Sequence, residues 1–364
     1  MTVKEGYIPP MIEPLTSLRF IFVILVFFHH FIIADTGNSF FPEGYLGVTF
    51  FFILSGFIVS LNYEEKILHK KIRRTDFFIK RVIRLYPLHI LCFFLAIVVL
   101  HNFLNRESFI WAIPNLLLLQ SWIPIEDSYF SFNRVSWFLS SEIFFYAMFP
   151  VIIVFIHKIK KKSAFFLFLI IVIIYFLSTF IVPEKWFHPL YYIFPLSRII
   201  DFIWGVFAYY VYKWIQNKKM ITQFSKIGVS LIEVITLLVL VGFIIYSNHI
   251  PQVYRYGMYY WFPMLILVFV FACFHRKEGI ISYILTNKIL VLLGKASFGF
   301  YIIHLLMIRI ISKIIAVSGI SIAWYVTLIL SVFVTIAFSI LILKKFETPV
   351  SEYLNKKYVK FADK

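Results

Sequence analysis

Arg19, His29 and His30 are ionisable side chains inside an apolar run, LTSLRFIFVILVFFHHFIIAD (15–35), that is long enough to cross a bilayer. Charge in hydrocarbon is costly, so such groups belong against a protein interior or a wet cavity and are functional candidates. Arg19 and His30 are eleven residues apart, which on a helix leaves them only about 20° apart around the axis and roughly 16 Å apart along it. His29 falls about 80° to the side. His30 is therefore the imidazole expected above Arg19 in a common channel, placed to act as a general base.

Two further stretches carry chemistry. KKIRRTDFFIKRVIRLYPLH (70–89) is the densest charge in the chain, and its Arg81 and Arg84 stand three apart, on one face of a helix. Planar cations so placed suit the phosphates of a nucleotide-like donor; the plainer alternative is a basic anchor on lipid headgroups. VSWFLSSEIFFYAMFP (135–150) opens another apolar helix, with Trp137 expected as an interfacial anchor and Glu142 roughly 7 or 8 Å below the boundary. His30, counted from the opposite side, lies about 21 Å into a core about 30 Å thick, so the two share a depth. A carboxylate beside an imidazole fixes its tautomer; the plainer alternative is a structural pairing of Glu142 with an arginine.

Other ionisable residues carry weaker signals. Arg198 and Asp201 stand three apart, which suits mutual neutralisation. His304 beside Tyr301 fits a hydrogen-bonded packing residue. Glu347 sits among basic neighbours in KKFETPV (344–350), and Glu233 has no evident partner. In GYLGVTFFFILSGFIVS (44–60) the small residues Gly44, Gly47, Ser55 and Gly56 form a track that lets another backbone approach, a helix-packing feature.

The elements that must position these groups are membrane helices. The chain has 364 residues, 61% hydrophobic and 21% aromatic with 15% charged, and a mean hydropathy of +0.88. That composition predicts an all-α, polytopic membrane protein. Ten spans are expected near 16–35, 44–62, 85–104, 137–157, 163–183, 196–214, 227–247, 259–274, 296–316 and 322–343. With the N-terminus inside, 28 of the 35 Lys and Arg fall on the cytosolic side, which predicts cytosolic termini. Residues 109–122, FIWAIPNLLLLQSW, are apolar but short, and are read as a re-entrant or interfacial helix interrupted at Pro114. The net charge of +17 flanks hydrophobic runs rather than lining a soluble face, which argues for membrane lipids as neighbours and against nucleic acid.

Residues 1–14 and 344–364 are expected as cytosolic tails of a single membrane domain over 1–364, with no cleaved signal peptide. Cys92 and Cys273 fall near cytosolic helix ends, where a disulfide is not expected. No metal-ligand spacing, Walker-type loop or dinucleotide fingerprint is present, so no metal or permanently bound cofactor is expected.

Arg19 with His30, GYLGVTFFFILSGF, RVIRLYP, WFLSSEIFFY, GKASFGFYIIH and the closing FETP occur in one order along the chain. Together they resemble the acyltransferase-3 family of integral-membrane O-acyltransferases. The resemblance implies transfer of an acyl group, most often acetyl, from acyl-CoA as co-substrate to sugars of surface or exported glycans, in the bacterial cytoplasmic membrane. It implies that Arg19 and His30 are catalytic, that Arg81 and Arg84 lie near the CoA, and that Glu142 is the family's WxLxxE glutamate. Trp137, Arg198, Tyr301, His304 and Glu347 are expected as acceptor-side or supporting residues. The family commonly has a second acidic residue after that glutamate; here it is Ile143. Some members carry a fused SGNH-type esterase domain, and here residues 344–364 alone follow the last span, so transfer is expected either directly or through a separate protein. A transporter or flippase for lipid-linked sugars is the reading from another class; it predicts repeated halves with paired broken helices, which are not evident.

Overall fold

The chain builds a bundle of long apolar helices because no other backbone can satisfy its hydrogen bonds in hydrocarbon over such runs. The computed structural model describes residues 11–33, 35–100, 107–218, 220–277 and 279–359. The expected tail residues 1–10, Arg106 and residues 360–364 lie outside them. The long helices are α1 (Glu13–His30), α2 (Leu46–Leu68), α3 (Arg74–Leu100), α4 (Trp137–Ile159), α5 (Lys161–Ser178), α6 (Pro195–Asn217), α7 (Lys226–Tyr246), α8 (Trp261–Phe274), α9 (Lys288–Ser318) and α10 (Trp324–Ile342). Among the described residues nine helices are long and apolar enough to span, and a tenth arises when Glu184–Ile193 and Pro195–Asn217, bent by 46°, are taken as one. The ten expected spans are thus all present, in order.

α2 forms the middle of the bundle: 78% of its apolar window is buried, against 11% for α5. α5, α7 and α10 present apolar side chains outward, as lipid-facing helices must. The small-residue track that leads into and along α2 does what its composition dictates. A Cβ on Gly44 or Gly47 would meet the carbonyl oxygens of Leu25 and Phe22 on α1, and one on Gly56 would strike that of Phe202 on α6. Gly205 on α6 faces the Ile53 carbonyl in return, so α2 and α6 cross with a glycine from each side at the contact. Where α1 crosses α9, Gly294 lies against the Thr16 carbonyl.

Two expectations about local structure change. α1 ends at His30, not near residue 35, because Ile32 bridges back to Ser39 and the Ser39 hydroxyl donates to the His29 carbonyl at 2.8 Å. Those contacts supply the end of the helix with partners and turn the chain away. The 107–122 segment is a set of short helical turns, Glu107–Trp111, Ala112–Leu116 and Gln120–Trp122. Pro114 is not its interruption. It occupies the first turn of its helix, where a missing N–H costs nothing, and the break follows at Leu118, whose φ is +55°.

The segment from 115 to 137 is held inside the protein by buried polar side chains. Asn115 donates to the Ser131 carbonyl at 2.9 Å, Ser121 to that of Trp137 at 2.9 Å, and Asn133 to that of Ile302 on α9 at 2.9 Å. Non-helical backbone at membrane depth is tolerated only when tied in this way.

Candidate active site

Three arginines converge on one cavity, lined by Arg19 of α1, Ser55 of α2, Arg81 and Arg84 of α3, Glu142 and Tyr146 of α4, and Ser297 and Tyr301 of α9. Arg81 is only 7% exposed. Its guanidinium lies 4.6 Å from the Tyr63 ring centroid, 5.4 Å from Tyr146 and 5.7 Å from Phe77, an aromatic seat that stabilises a cation. Its Nε is buried with no partner. Arg84 is exposed at the mouth. None of the three arginines donates a side-chain hydrogen bond to another described residue. The spacing of Arg81 and Arg84 put them on one helix face, and the structure brings Arg19 to the same cavity.

Against these cations stands Glu142. The Ser55 hydroxyl donates to its Oε2 at 3.2 Å and lies 3.2 Å from the Tyr146 hydroxyl. Glu347, from the helical turn Leu343–Glu347, approaches from behind: its Oε1 is buried without a partner, and it lies within electrostatic reach of Arg84 and Arg19. Glu347 therefore feels the charge of the cavity's arginines from outside its lining.

His30 lies elsewhere. Its Nδ1 is 2.9 Å from the Val26 carbonyl and 3.1 Å from His304 Nε2, while His304 Nδ1 is 2.6 Å from the Tyr301 carbonyl. The expected contact between His30 and Glu142 does not form. Equal depth in a membrane does not give lateral proximity: α2 packs against both α1 and α4, and Glu142 accepts its hydrogen bond from Ser55 of α2. Tyr301 lines the cavity, and His304 is three residues farther along α9, roughly 4.5 Å of rise. The imidazole pair thus sits about one turn beyond the cavity wall. His29 turns aside as its position on the helix predicts, with Nδ1 2.7 Å from the Pro42 carbonyl.

Two supporting candidates take structural places. Trp137 is not an interfacial anchor: it is 4% exposed, packed on Tyr192 at 5.0 Å, because its face of α4 turns into the bundle. Arg198 pairs with Asp201 at 2.7 Å, both side chains 1% exposed. It also donates to the Thr49 hydroxyl at 3.0 Å and the Tyr256 carbonyl at 2.9 Å, and Trp261 donates to Asp201. This network ties α2, α6 and α8 together. Glu233, without a partner in sequence, accepts from the backbone N–H of Ile281 at 2.9 Å and the hydroxyl of Ser282 at 2.5 Å. It caps the short helix Ile280–Leu285.

The Acyl_transf_3 family, described as an acyltransferase domain, matches residues 14–344. The chain belongs to this acyltransferase family. Its relatives include O-acetyltransferase OatA of Staphylococcus aureus, 24% identical over 392 aligned positions that take in 99% of this chain and 62% of OatA. The putative acetyltransferase ORF330 of Acidianus two-tailed virus is 27% identical over 89% of this chain and 90% of its own length. Acyltransferase MdmB of Streptomyces mycarofaciens is 34% identical over 121 residues, 32% of this chain and 30% of MdmB. The chain therefore spans less than two thirds of OatA and of MdmB. No solved structure matches it.

Sequence reasoning missed four groups at or beside this cavity: Tyr63, whose ring carries Arg81, and Ser55, Tyr146 and Ser297 of the lining. A signal existed for Tyr146, four residues after Glu142 in SSEIFFY and so on the same helix face. Ser55 was read only as a small residue in a packing track. Ser297 has a buried hydroxyl with no partner, which no local pattern announces.

Proposed function

We propose that this chain is a membrane O-acyltransferase, in the first instance an O-acetyltransferase, that moves an acyl group from cytosolic acyl-CoA to a hydroxyl of an exported or cell-surface carbohydrate. The observation that carries the donor half is the convergence of Arg19, Arg81 and Arg84 on one cavity with no hydrogen-bond acceptor of their own. A buried cation such as Arg81 normally has a partner, and half-buried Arg19 and exposed Arg84 add their charges beside it. Three that share a cavity fit the phosphates of a nucleotide-like donor, which accept bidentate hydrogen bonds from guanidinium groups.

The carbohydrate acceptor and the acetyl group rest on family membership and on the name of OatA. Cytosolic donor entry rests on the distribution of lysine and arginine, by which the arginine cavity would open towards the cytosol. In this reading the pantetheine arm runs from the arginines along the α1–α9 contact, with the free Ser297 hydroxyl offered to its amides, and brings the thioester towards His30. His30 accepts the proton of the incoming hydroxyl.

Binding to acetyl-CoA tests the donor half. Replacing Arg81 by Gln should weaken acetyl-CoA binding to the purified protein on the order of 10- to 100-fold, the worth of charge-assisted hydrogen bonds. Replacing it by Lys should recover only part of the loss, because the planar fork and its aromatic seat are gone. Unchanged binding in R81Q by titration calorimetry would remove the cavity from the donor site.

A further inference from the structure

His304 is fully buried, between the rings of Phe27 and Phe300, centroids 6.1 and 6.3 Å away. Its Nδ1 faces the Tyr301 carbonyl at 2.6 Å, and its Nε2 faces His30 Nδ1 at 3.1 Å. A carbonyl oxygen only accepts hydrogen bonds. The Tyr301 carbonyl therefore requires a proton on His304 Nδ1, which in a neutral ring leaves a lone pair on Nε2. The Val26 carbonyl, 2.9 Å from His30 Nδ1, in turn requires the proton on that nitrogen. The two requirements agree: His30 Nδ1–H is shared between the Val26 carbonyl and His304 Nε2, and the lone pair of neutral His30 lies on Nε2.

We propose that His304, not Glu142, is the positioning residue that holds His30 in the tautomer needed for base catalysis. The proposal rests on the reading of His30 as the base. The step balances as follows. The acceptor oxygen forms its bond to the acyl carbon while its proton goes to His30 Nε2, and the carbon–sulfur bond breaks to release the thiolate. The imidazolium of His30 keeps its Nδ1 proton on the Val26 carbonyl and His304 Nε2. The Nε2 proton then passes to the thiolate, giving the ester, the free thiol and a neutral His30. His304 accepts a hydrogen bond throughout and is never a proton carrier, so its ring serves as an acceptor that stabilises the positive charge formed next to it.

An amide can reproduce that acceptor and a phenyl ring cannot, which separates positioning from packing. His304→Phe fills the same space between Phe27 and Phe300. It should lower kcat by about 100-fold, the lower end of what a well-placed base contributes, and leave KM for acetyl-CoA within about threefold, since the arginine cavity is untouched. His304→Gln, with its carbonyl oxygen facing His30, should recover most of the loss. In the wild-type protein, nitrogen NMR of 15N-histidine-labelled samples should show His30 Nε2 as the unprotonated nitrogen.

A His304→Phe enzyme with near wild-type kcat, a Gln variant no better than Phe, or an unprotonated Nδ1 in His30 would each overturn the proposal. If the Phe variant does not fold, the Gln variant and the wild-type spectrum still decide it. A His30→Ala enzyme that keeps full activity defeats the underlying reading of His30 as base, while an inactive His30→Ala beside a fully active His304→Phe defeats only the role given to His304.

Discussion

At the scale of single residues, Arg19 and His30 share one face of α1 and meet different partners. The angle between Arg19 and His30 follows from the helical repeat alone, and the structure sends Arg19 to the cavity and His30 to His304. The partner of His30 was not legible because it lies 274 residues away, and only the packing of α1 on α9 brings the two rings together. The same arrangement divides the adjacent imidazoles. His29 bonds to the Pro42 carbonyl in the loop leading into α2, away from His304. His29→Ala should therefore keep transfer activity within about tenfold of wild type, where His30→Ala loses at least about 100-fold. Acetyl transfer by the two purified variants at saturating acetyl-CoA checks this, and equal losses would mean that the pair acts as one unit. Arg198 shows the opposite lesson: its three-residue spacing from Asp201 foretold the salt bridge found, and the remaining partners, Thr49 and Tyr256, complete a brace.

At the scale of elements, apolar length placed all ten spans in sequence order, since a bilayer leaves little choice of structure over such runs. What length did not reveal was where helices bend or stop. The end of α1 depends on Ser39, nine residues past its last turn, and the bend before α6 falls at Pro195, which cannot continue the preceding helix. Close crossings were legible from small residues, but only on one side: Gly56 was singled out, and its counterpart Gly205 became meaningful once α6 lay against α2. Adding a large side chain at this crossing must push two backbones apart. Gly56→Leu should lower the stability of the purified protein by about 3 kcal/mol or more, seen as a lower unfolding temperature in detergent. Gly242→Leu, on α7 where nothing lies within 4 Å of an added Cβ, should leave it nearly unchanged. Equal effects of the two would show that α2 and α6 do not cross so closely.

At the scale of the whole molecule, the site divides between two regions joined by α1. One gathers arginines without protein acceptors and suits a phosphorylated donor; the other, about one turn beyond the Tyr301 wall, holds a histidine pair built from α1 and α9. A family of acyltransferases supplies the chemistry that joins them. The excess of basic residues on one side gives the proposed function a direction, in which donor would enter from the cytosol and ester appear on the exported face. The direct test compares surface glycans, by mass spectrometry, from cells carrying the wild-type gene, the His30→Ala gene, or neither. One O-linked acyl ester should be present with the wild type and missing in the other two, with the His30→Ala protein inserted at wild-type levels in the membrane. The same ester in cells expressing His30→Ala but not in cells without the gene would contradict the account.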